Sequence, residues 1–414
     1  MNTKLYGPQT EAALSNFPFE YHTVQCEFIY AIVQIKKAAA AANARAKVIS
    51  SEQAKAIRTA CDAILEGKHD DQFVVGAHHG GAGTSVNMNV NEVIATLSNT
   101  HPNDHVNASQ STNDVNPSAL RIAVIYLSTP LLKAIDHLIH TLDAKSVEYG
   151  DVVKLGRTHM QDAVPTTLGA EFASYRDTVT RGKKRIEHAL SYLYELNMGG
   201  TAIGNSINAS SEYINAIYPE LRRITGIDSL KPIKNYMSGT SSDTDFCNIA
   251  SSINLLCVDL SKIAHDLRFM ASGPKGGVGE ISFGKLQPGS SIMPGKVNPI
   301  IAETMNQTYY LVHGRTTSMY QAAEAAHLEL GVMLPIIADS LITIMKTVTT
   351  AVRLFADKGF GSIQVHKDTC REHLENSTAY AALLVPVLGY DKASQLVQEA
   401  VQSGKTLRQV VLQS

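Results

Sequence analysis

The stretch Gly289-Ser290-Ser291-Ile292-Met293-Pro294-Gly295-Lys296-Val297-Asn298-Pro299 sets paired hydroxyls, one ammonium and one carboxamide among residues that forbid regular structure. Its two prolines and two glycines rule out a helix. A tight bend of this kind offers hydroxyl, positive charge and amide donors to a single small anion. The same composition also suits an ordinary surface loop, in which glycine and proline only turn the chain.

Three further polar clusters interrupt helical sequence, and each reads as a turn at the end of a long helix. The run His105-Val106-Asn107-Ala108-Ser109-Gln110-Ser111-Thr112-Asn113-Asp114 precedes an apolar periodic segment. Neutral donors at a helix start bind carboxylates well, and Ser111, Thr112 or Asp114 can equally serve as the N-cap. The run Gly156-Arg157-Thr158-His159-Met160-Gln161-Asp162-Ala163-Val164-Pro165 carries an imidazole able to donate, accept and carry a proton, although a lone loop histidine is more often structural. The third, Asn197-Met198-Gly199-Gly200-Thr201-Ala202-Ile203-Gly204, is a glycine-rich helix exit suited to close packing. Upstream, Gly80-Gly81-Ala82-Gly83-Thr84-Ser85 lacks the Gly-Lys-Ser/Thr ending of a nucleotide loop, so a tight turn capped by Thr84 or Ser85 is expected there.

These clusters need rigid supports, and the apolar spacing supplies them. Residues 1–111 read as short helices joined by polar loops. Helix is favoured between Gln25 and Gly67 by the alanine run Ala38 to Ala42, with Gly67 as its stop. Residues 112–357 read as a long-helix domain. One stripe runs through Leu120, Val124, Leu127, Leu131, Ile135, Leu138 and Leu142, on a helix that Pro130 is expected to kink. Another, Ile249, Ile253, Leu256, Leu260, Ile263, Leu267 and Met270, alternates steps of four and three like a coiled-coil seam. Ile337, Leu341, Ile344, Val348 and Val352 form a third, and Phe172, Val179, Ile186, Leu190 and Leu193 a fourth. Residues 358–414 break into short amphipathic pieces and read as a small helical domain. The expected fold class is all-α, an elongated multi-helix bundle with small terminal domains. Stripes this long ask for partners beyond one sequential bundle, which points to association across subunits.

Composition narrows the field of functions. With 414 residues the chain exceeds one compact core, and 44% apolar with only 18% charged residues fits surface hidden in subunit contacts. A formal charge of -2 leaves no electrostatic footprint for nucleic acid or an acidic membrane. The five cysteines are scattered without a Cys-x-x-Cys pair, so neither a disulfide framework nor a zinc site is expected. The segment up to Pro18 lacks the pattern of a signal peptide, no later run is expected to span a bilayer, and a cytoplasmic protein is anticipated.

In order and spacing these stretches resemble the aspartase/fumarase superfamily, whose members cleave a carbon–nitrogen or carbon–oxygen bond and release fumarate. The likeness covers nearly the whole chain, from Tyr6-Gly7-Pro8-Gln9-Thr10 and Asn16-Phe17-Pro18 into the tail. It implies a homotetramer with a twenty-helix core, active sites built from three subunits, and no metal or organic cofactor. Thr84, Ser111, Thr112 and Asn113 would come from one chain, Thr158 and His159 from another, and the loop with Ser290, Ser291, Lys296 and Asn298 from a third. By the same resemblance Ser290 is the base, with Lys296 and loop amides stabilising its oxyanion. Thr84, Ser111, Thr112 and Ser291 would take the distal carboxylate of a four-carbon acid, and Lys296, Asn298 and Thr158 the other. Asn113 and His159 would surround the amine, and Glu303 would orient the His159 ring. Gln110-Ser111-Thr112-Asn113-Asp114, Gln161-Asp162-Ala163-Val164-Pro165 and Ser242-Asp243-Thr244-Asp245 resemble the aspartase branch more than the fumarases. Asn205-Ser206-Ile207-Asn208 and His327-Leu328-Glu329-Leu330-Gly331 depart from that pattern, the latter with glycine where asparagine is usual. The implied reaction is elimination of ammonia from L-aspartate. Hydration of fumarate, elimination from a substituted aspartate, and a non-catalytic helical scaffold are the alternatives.

Overall fold

Caps, glycines and prolines divide residues 4–414, the span described by the computed structural model, into fifteen α-helices. They are α1 (Pro8–Asn16), α2 (Cys26–Arg45), α3 (Ser51–Leu65), α4 (Thr84–Ser98), α5 (Thr112–Glu148), α6 (Leu168–Leu190), α7 (Ser211–Thr225) and α8 (Tyr236–Ser241). There follow α9 (Thr244–Met270), α10 (Ile300–Glu324), α11 (Leu334–Leu354), α12 (Lys367–Asn376), α13 (Ala381–Leu388), α14 (Tyr390–Ser403) and α15 (Leu407–Gln413). The chain is mostly helical, with three two-stranded sheets that a purely helical reading misses. β1 (Val153–Thr158) pairs antiparallel with β2 (Gln161–Thr167), and β3 (Glu195–Leu196) parallel with β4 (Lys231–Pro232). β5 (Ile281–Phe283) pairs antiparallel with β6 (Ile363–Val365).

Local chemistry explains the boundaries. The helix expected between Gln25 and Gly67 is two helices, because Ser50 and Gln53 form a capping box. The Ser50 hydroxyl accepts the Gln53 amide at 3.2 Å, and the Gln53 side chain accepts the Ser50 amide at 2.8 Å. Gly67 does serve as a stop, in the left-handed region at φ 77°. At the start of α1, Pro8 occupies a first-turn position where no amide is needed. The buried Glu92 carboxylate of α4 then accepts from the amides of Gly7, Gln9 and Thr10 at 2.9–3.1 Å, meeting the positive end of α1 with negative charge.

The periodic stripes are buried as their spacing requires. Every residue of the seam from Ile249 to Met270 is buried on α9, as is every member of the stripe from Ile337 to Val352. Leu127 alone among the α5 stripe is only partly covered. α5 continues through both Pro117 and Pro130 as one helix. By length and composition α5, α9 and the segment Leu334–Ser362 are apolar enough to cross a membrane, which corrects the expectation that no run reaches that length. At least half of each apolar window is buried inside the protein, so these are packing faces. Arg121 of α5 is fully buried, and its guanidinium donates to Asp245 Oδ2 at 2.8 Å and to the Tyr192 carbonyl at 3.0 Å.

The chain folds as two compact units. The first takes residues 1–131, 184–255 and 311–347, the second residues 132–183, 256–310 and 348–414. In the first, α2 packs on α3, α4 and α7, and α4 carries α1. In the second, α12 packs on β1, and the tail buries Leu396, Ala400, Leu407 and Val410 among α13, α14 and α15.

Candidate active site

The start of α5 is over-determined by side-chain bonds. Ser111 Oγ accepts the Asn113 amide at 3.2 Å, while Asp114 Oδ1 accepts the Ser111 amide at 2.9 Å, so two of the three expected caps act together. Asp114 Oδ2 reaches across to accept from the Gly199 and Thr201 amides at 3.1 and 3.0 Å. Burial pushes the Asp114 carboxyl up to about 6 against the pull of these donors and of Lys36. The glycine-rich segment 197–204 thus docks onto α5, and Asn197 completes the joint by donating to the Asn113 carbonyl at 3.1 Å. Asn113 gives its own Nδ2 to the Ala202 carbonyl at 2.8 Å, and among the described residues Oδ1, a pure acceptor, has no protein partner. Thr112 Oγ1 accepts from Asn87 Nδ2 at 3.2 Å.

Thr84 begins α4 immediately after Gly83, which sits at φ 87°. No side-chain cap forms there, contrary to expectation, because Thr84 Oγ1 turns back to donate to the Gly81 carbonyl at 2.9 Å. Thr84 and Asn113 line one cleft of about 920 Å³ together with His78, His79, Leu330 and Met333. Behind Leu330, Gly331 lies where any side chain would collide with Asp243 Oδ2. Among the described residues that buried oxygen has no hydrogen-bond partner, and burial pushes the Asp243 carboxyl up to about 7 despite Arg121 nearby. Glycine at 331 is therefore a steric consequence of where Asp243 points.

In the second unit Thr158 and His159 sit on a hairpin rather than at the end of a long helix. Thr158 pairs with Gln161, leaving His159 and Met160 as a two-residue turn at φ 54° and 60°. Both side chains are exposed. The hairpin is anchored at Glu280, which is completely buried beside Lys154 Nζ at 3.1 Å, Arg157 Nη1 at 2.8 Å and His373 Nδ1 at 3.1 Å. Burial alone would raise the Glu280 carboxyl, but Lys154, His373 and Arg157 together hold it below the usual carboxylate range. Glu280 also precedes β5, which leads into the serine loop.

That loop is closed on itself. Asn298 Nδ2 donates to the Gly289 carbonyl at 2.8 Å, and a Cβ on Gly289 would collide with the Lys296 carbonyl. Gly295 turns the chain at φ 82°. Ser290 Oγ accepts two backbone amides, from Ile292 at 3.2 Å and Met293 at 3.1 Å. Ser291 and Lys296 are exposed, and among the described residues Lys296 makes no ion pair. Glu303 lies in the first turn of α10, and among the described residues no hydrogen bond joins it to His159. One chain therefore groups Ser111, Thr112, Asn113 and Thr84 in its first unit. In its second it carries Ser290, Ser291, Lys296 and Asn298 on one loop and Thr158 and His159 on another. Among the described residues no three His, Cys, Asp or Glu side chains are placed to hold a metal ion. Sequence reasoning missed Lys36 and Glu280 as supports, since nothing local marks them, whereas Asn197 opens a run already singled out and Asp114 was readable from its place three residues after Ser111.

A hydroxyl held by two amides, an exposed ammonium and a hydroxyl-rich helix start are each suited to meeting a small carboxylic acid, and comparison with known proteins bears on that class of chemistry directly. Residues 1–314 match the lyase family, and residues 381–414 match the fumarase C C-terminus. The chain is 40% identical over 420 residues to the aspartate ammonia-lyase of Bacillus subtilis (strain 168), covering 99% of this chain and 88% of that one. It is 39% identical over 423 residues to the class II fumarate hydratase of Chlamydia caviae, covering 99% and 92%. A solved structure described as fumarate lyase:delta crystallin from Brucella melitensis, bound to cobalt, superposes with a TM-score of 0.96 at 39% identity, covering 99% and 92%. The chain belongs to the aspartase/fumarase superfamily of lyases.

Proposed function

We propose that the chain is an aspartate ammonia-lyase, acting as a homotetramer with a twenty-helix core whose active sites each draw on three subunits. The proton on the carbon beside the distal carboxylate of L-aspartate is barely acidic until that carboxylate can accept a second negative charge. Preorganised donors that bind this developing charge more tightly than the ground state are the general solution. Thr84, Ser111, Thr112 and Ser291 are assigned to the distal carboxylate, and Lys296, Asn298 and Thr158 to the other. Ser290 as alkoxide takes the carbon-bound proton, the released pair forms the double bond, and the carbon–nitrogen bond breaks to give fumarate and ammonia. His159, partnered by Glu303 across subunits, and Asn113 attend the amine. The scheme invokes neither a metal nor an organic cofactor.

The observation that carries this reading is the pair of amides aimed at Ser290 Oγ. A serine hydroxyl is far too weak a base on its own, and two fixed donors with Lys296 on the same loop lower the cost of its anion. Asn113 Oδ1 is an acceptor of the kind an ammonium needs, although a hydroxyl could donate to it as well. Fumarate hydration is the second reading, favoured by the near-equal likeness to a fumarate hydratase. Mixing the protein separately with L-aspartate and L-malate and following the ultraviolet absorbance of fumarate separates them. A rise with aspartate alone is expected, and a rise with malate alone would replace the first reading by the second. Silence with both would leave a substituted aspartate or a scaffold.

A further inference from the structure

Lys36 on α2 is completely buried, and among the described residues its Nζ has one side-chain acceptor, Asn107 Oδ1 at 2.8 Å. The charged or ionisable groups that act on it are Asp114 of α5 and Cys61 of α3, and burial pushes the amine down to about 7 in spite of them. Asn107 Oδ1 takes two more donors, Asn87 Nδ2 at 3.3 Å and Asn91 Nδ2 at 3.2 Å. The second N–H of that Asn87 amide donates to Thr112 Oγ1.

Read outward from Lys36, the protonated amine gives the series one direction, and the Asn107 Nδ2 bond to the Gln110 carbonyl at 3.3 Å holds Asn107 in the same sense. An ammonium can only donate, so Asn107 must present its carbonyl oxygen to it. That oxygen in turn fixes which end of the Asn87 amide faces inward, and the remaining Asn87 N–H makes the Thr112 hydroxyl an acceptor from the protein. The Thr112 proton is then left for a partner outside the chain, at a helix start where anions bind. We propose that Lys36 is a positioning residue that sets the donor direction of Thr112 toward the substrate carboxylate without touching the substrate. The proposal rests on the assignment of Thr112 as a carboxylate ligand. Attraction to the buried Asp114 carboxyl offsets part of the cost of burying this amine. Burying an amine still costs folding free energy even when it is partnered, and that cost is what the thermal midpoint of an apolar replacement reads.

The test is calorimetric binding of succinate, a dicarboxylate without an amine, to the full-length protein and to Lys36→Met, Asn87→Leu, Thr112→Val and the Lys36→Met/Thr112→Val double variant, with thermal midpoints measured alongside. Lys36→Met is expected to weaken succinate about tenfold, the loss of one hydrogen bond to a charged group, while its midpoint stays level or rises. The double variant should bind no more weakly than Thr112→Val alone, because both changes silence the same donor. Parental affinity in Lys36→Met beside weakened Thr112→Val overturns the relay and spares the carboxylate assignment. Parental affinity in Thr112→Val overturns both. Should Lys36→Met not fold, Asn87→Leu breaks the series one step later, and parental affinity there is equally decisive against it.

Discussion

In the proposed mechanism Ser290 and Lys296 divide one task between them, since a hydroxyl becomes a base only where its anion is stabilised. The amides of Ile292 and Met293 are already in place, and the uncommitted ammonium of Lys296 sits on the same short loop. Ser290→Ala and Lys296→Ala are each expected to lower kcat by about a thousandfold or more, with unchanged sedimentation. Turnover near the parental level in either would remove that residue from the chemistry. Asp243 makes a different kind of prediction. Burial raises its carboxyl to about 7, so between roughly pH 4 and 7 the folded protein holds a proton that the unfolded chain releases. Its contribution is therefore present at low pH and lost as pH rises through 7. Asp243→Asn should raise the melting temperature by about 2–4 °C more at pH 8 than at pH 5. A difference that does not change with pH would mean that the carboxylate has a partner in the folded state.

At the scale of elements, the serine loop keeps its shape through backbone contacts that leave no room at Gly289. Gly289→Ala should break the Asn298 closure and lower kcat about tenfold or more, with little change in melting temperature because the loop is exposed and adds nothing to a core. Parental kcat would show that the closed shape is dispensable. The long helices were legible from their stripes because a spacing of three and four over many turns has only one structural solution. The break between α2 and α3 was equally legible in Ser50-x-x-Gln53, although the alanine run hid it. The β1–β2 hairpin was not. Its turn uses His159 and Met160 in place of the Asn-Gly pair that usually announces such a bend. The strain of two side chains at positive φ is itself a reason to look for function at the tip. The Glu280 anchor was invisible for another reason, since its partners Lys154, Arg157 and His373 meet it only through tertiary folding.

For the whole molecule the proposed function requires that residues carried by two separate units of the chain serve one substrate. Leu255 and Val258 of α9 and Tyr310, Leu311 and Tyr320 of α10 are large, apolar and exposed, the sort of surface that associates with copies of itself. If each site takes the start of α5 from one subunit and the serine loop from another, two inactive variants should repair each other. Co-refolding Ser290→Ala with Asn113→Ala in equal amounts and random assembly should restore about a quarter of the parental activity, the chance that both segments at a site are intact. The pair Ser290→Ala and Lys296→Ala shares one loop, so every site in that mixture keeps one defect and no activity should return. Recovery in the first mixture and silence in the second would tie the loop and the helix start to different chains. Silence in both would place them on the same chain, and the shared-site assembly would then have to be abandoned even if the tetramer itself were found.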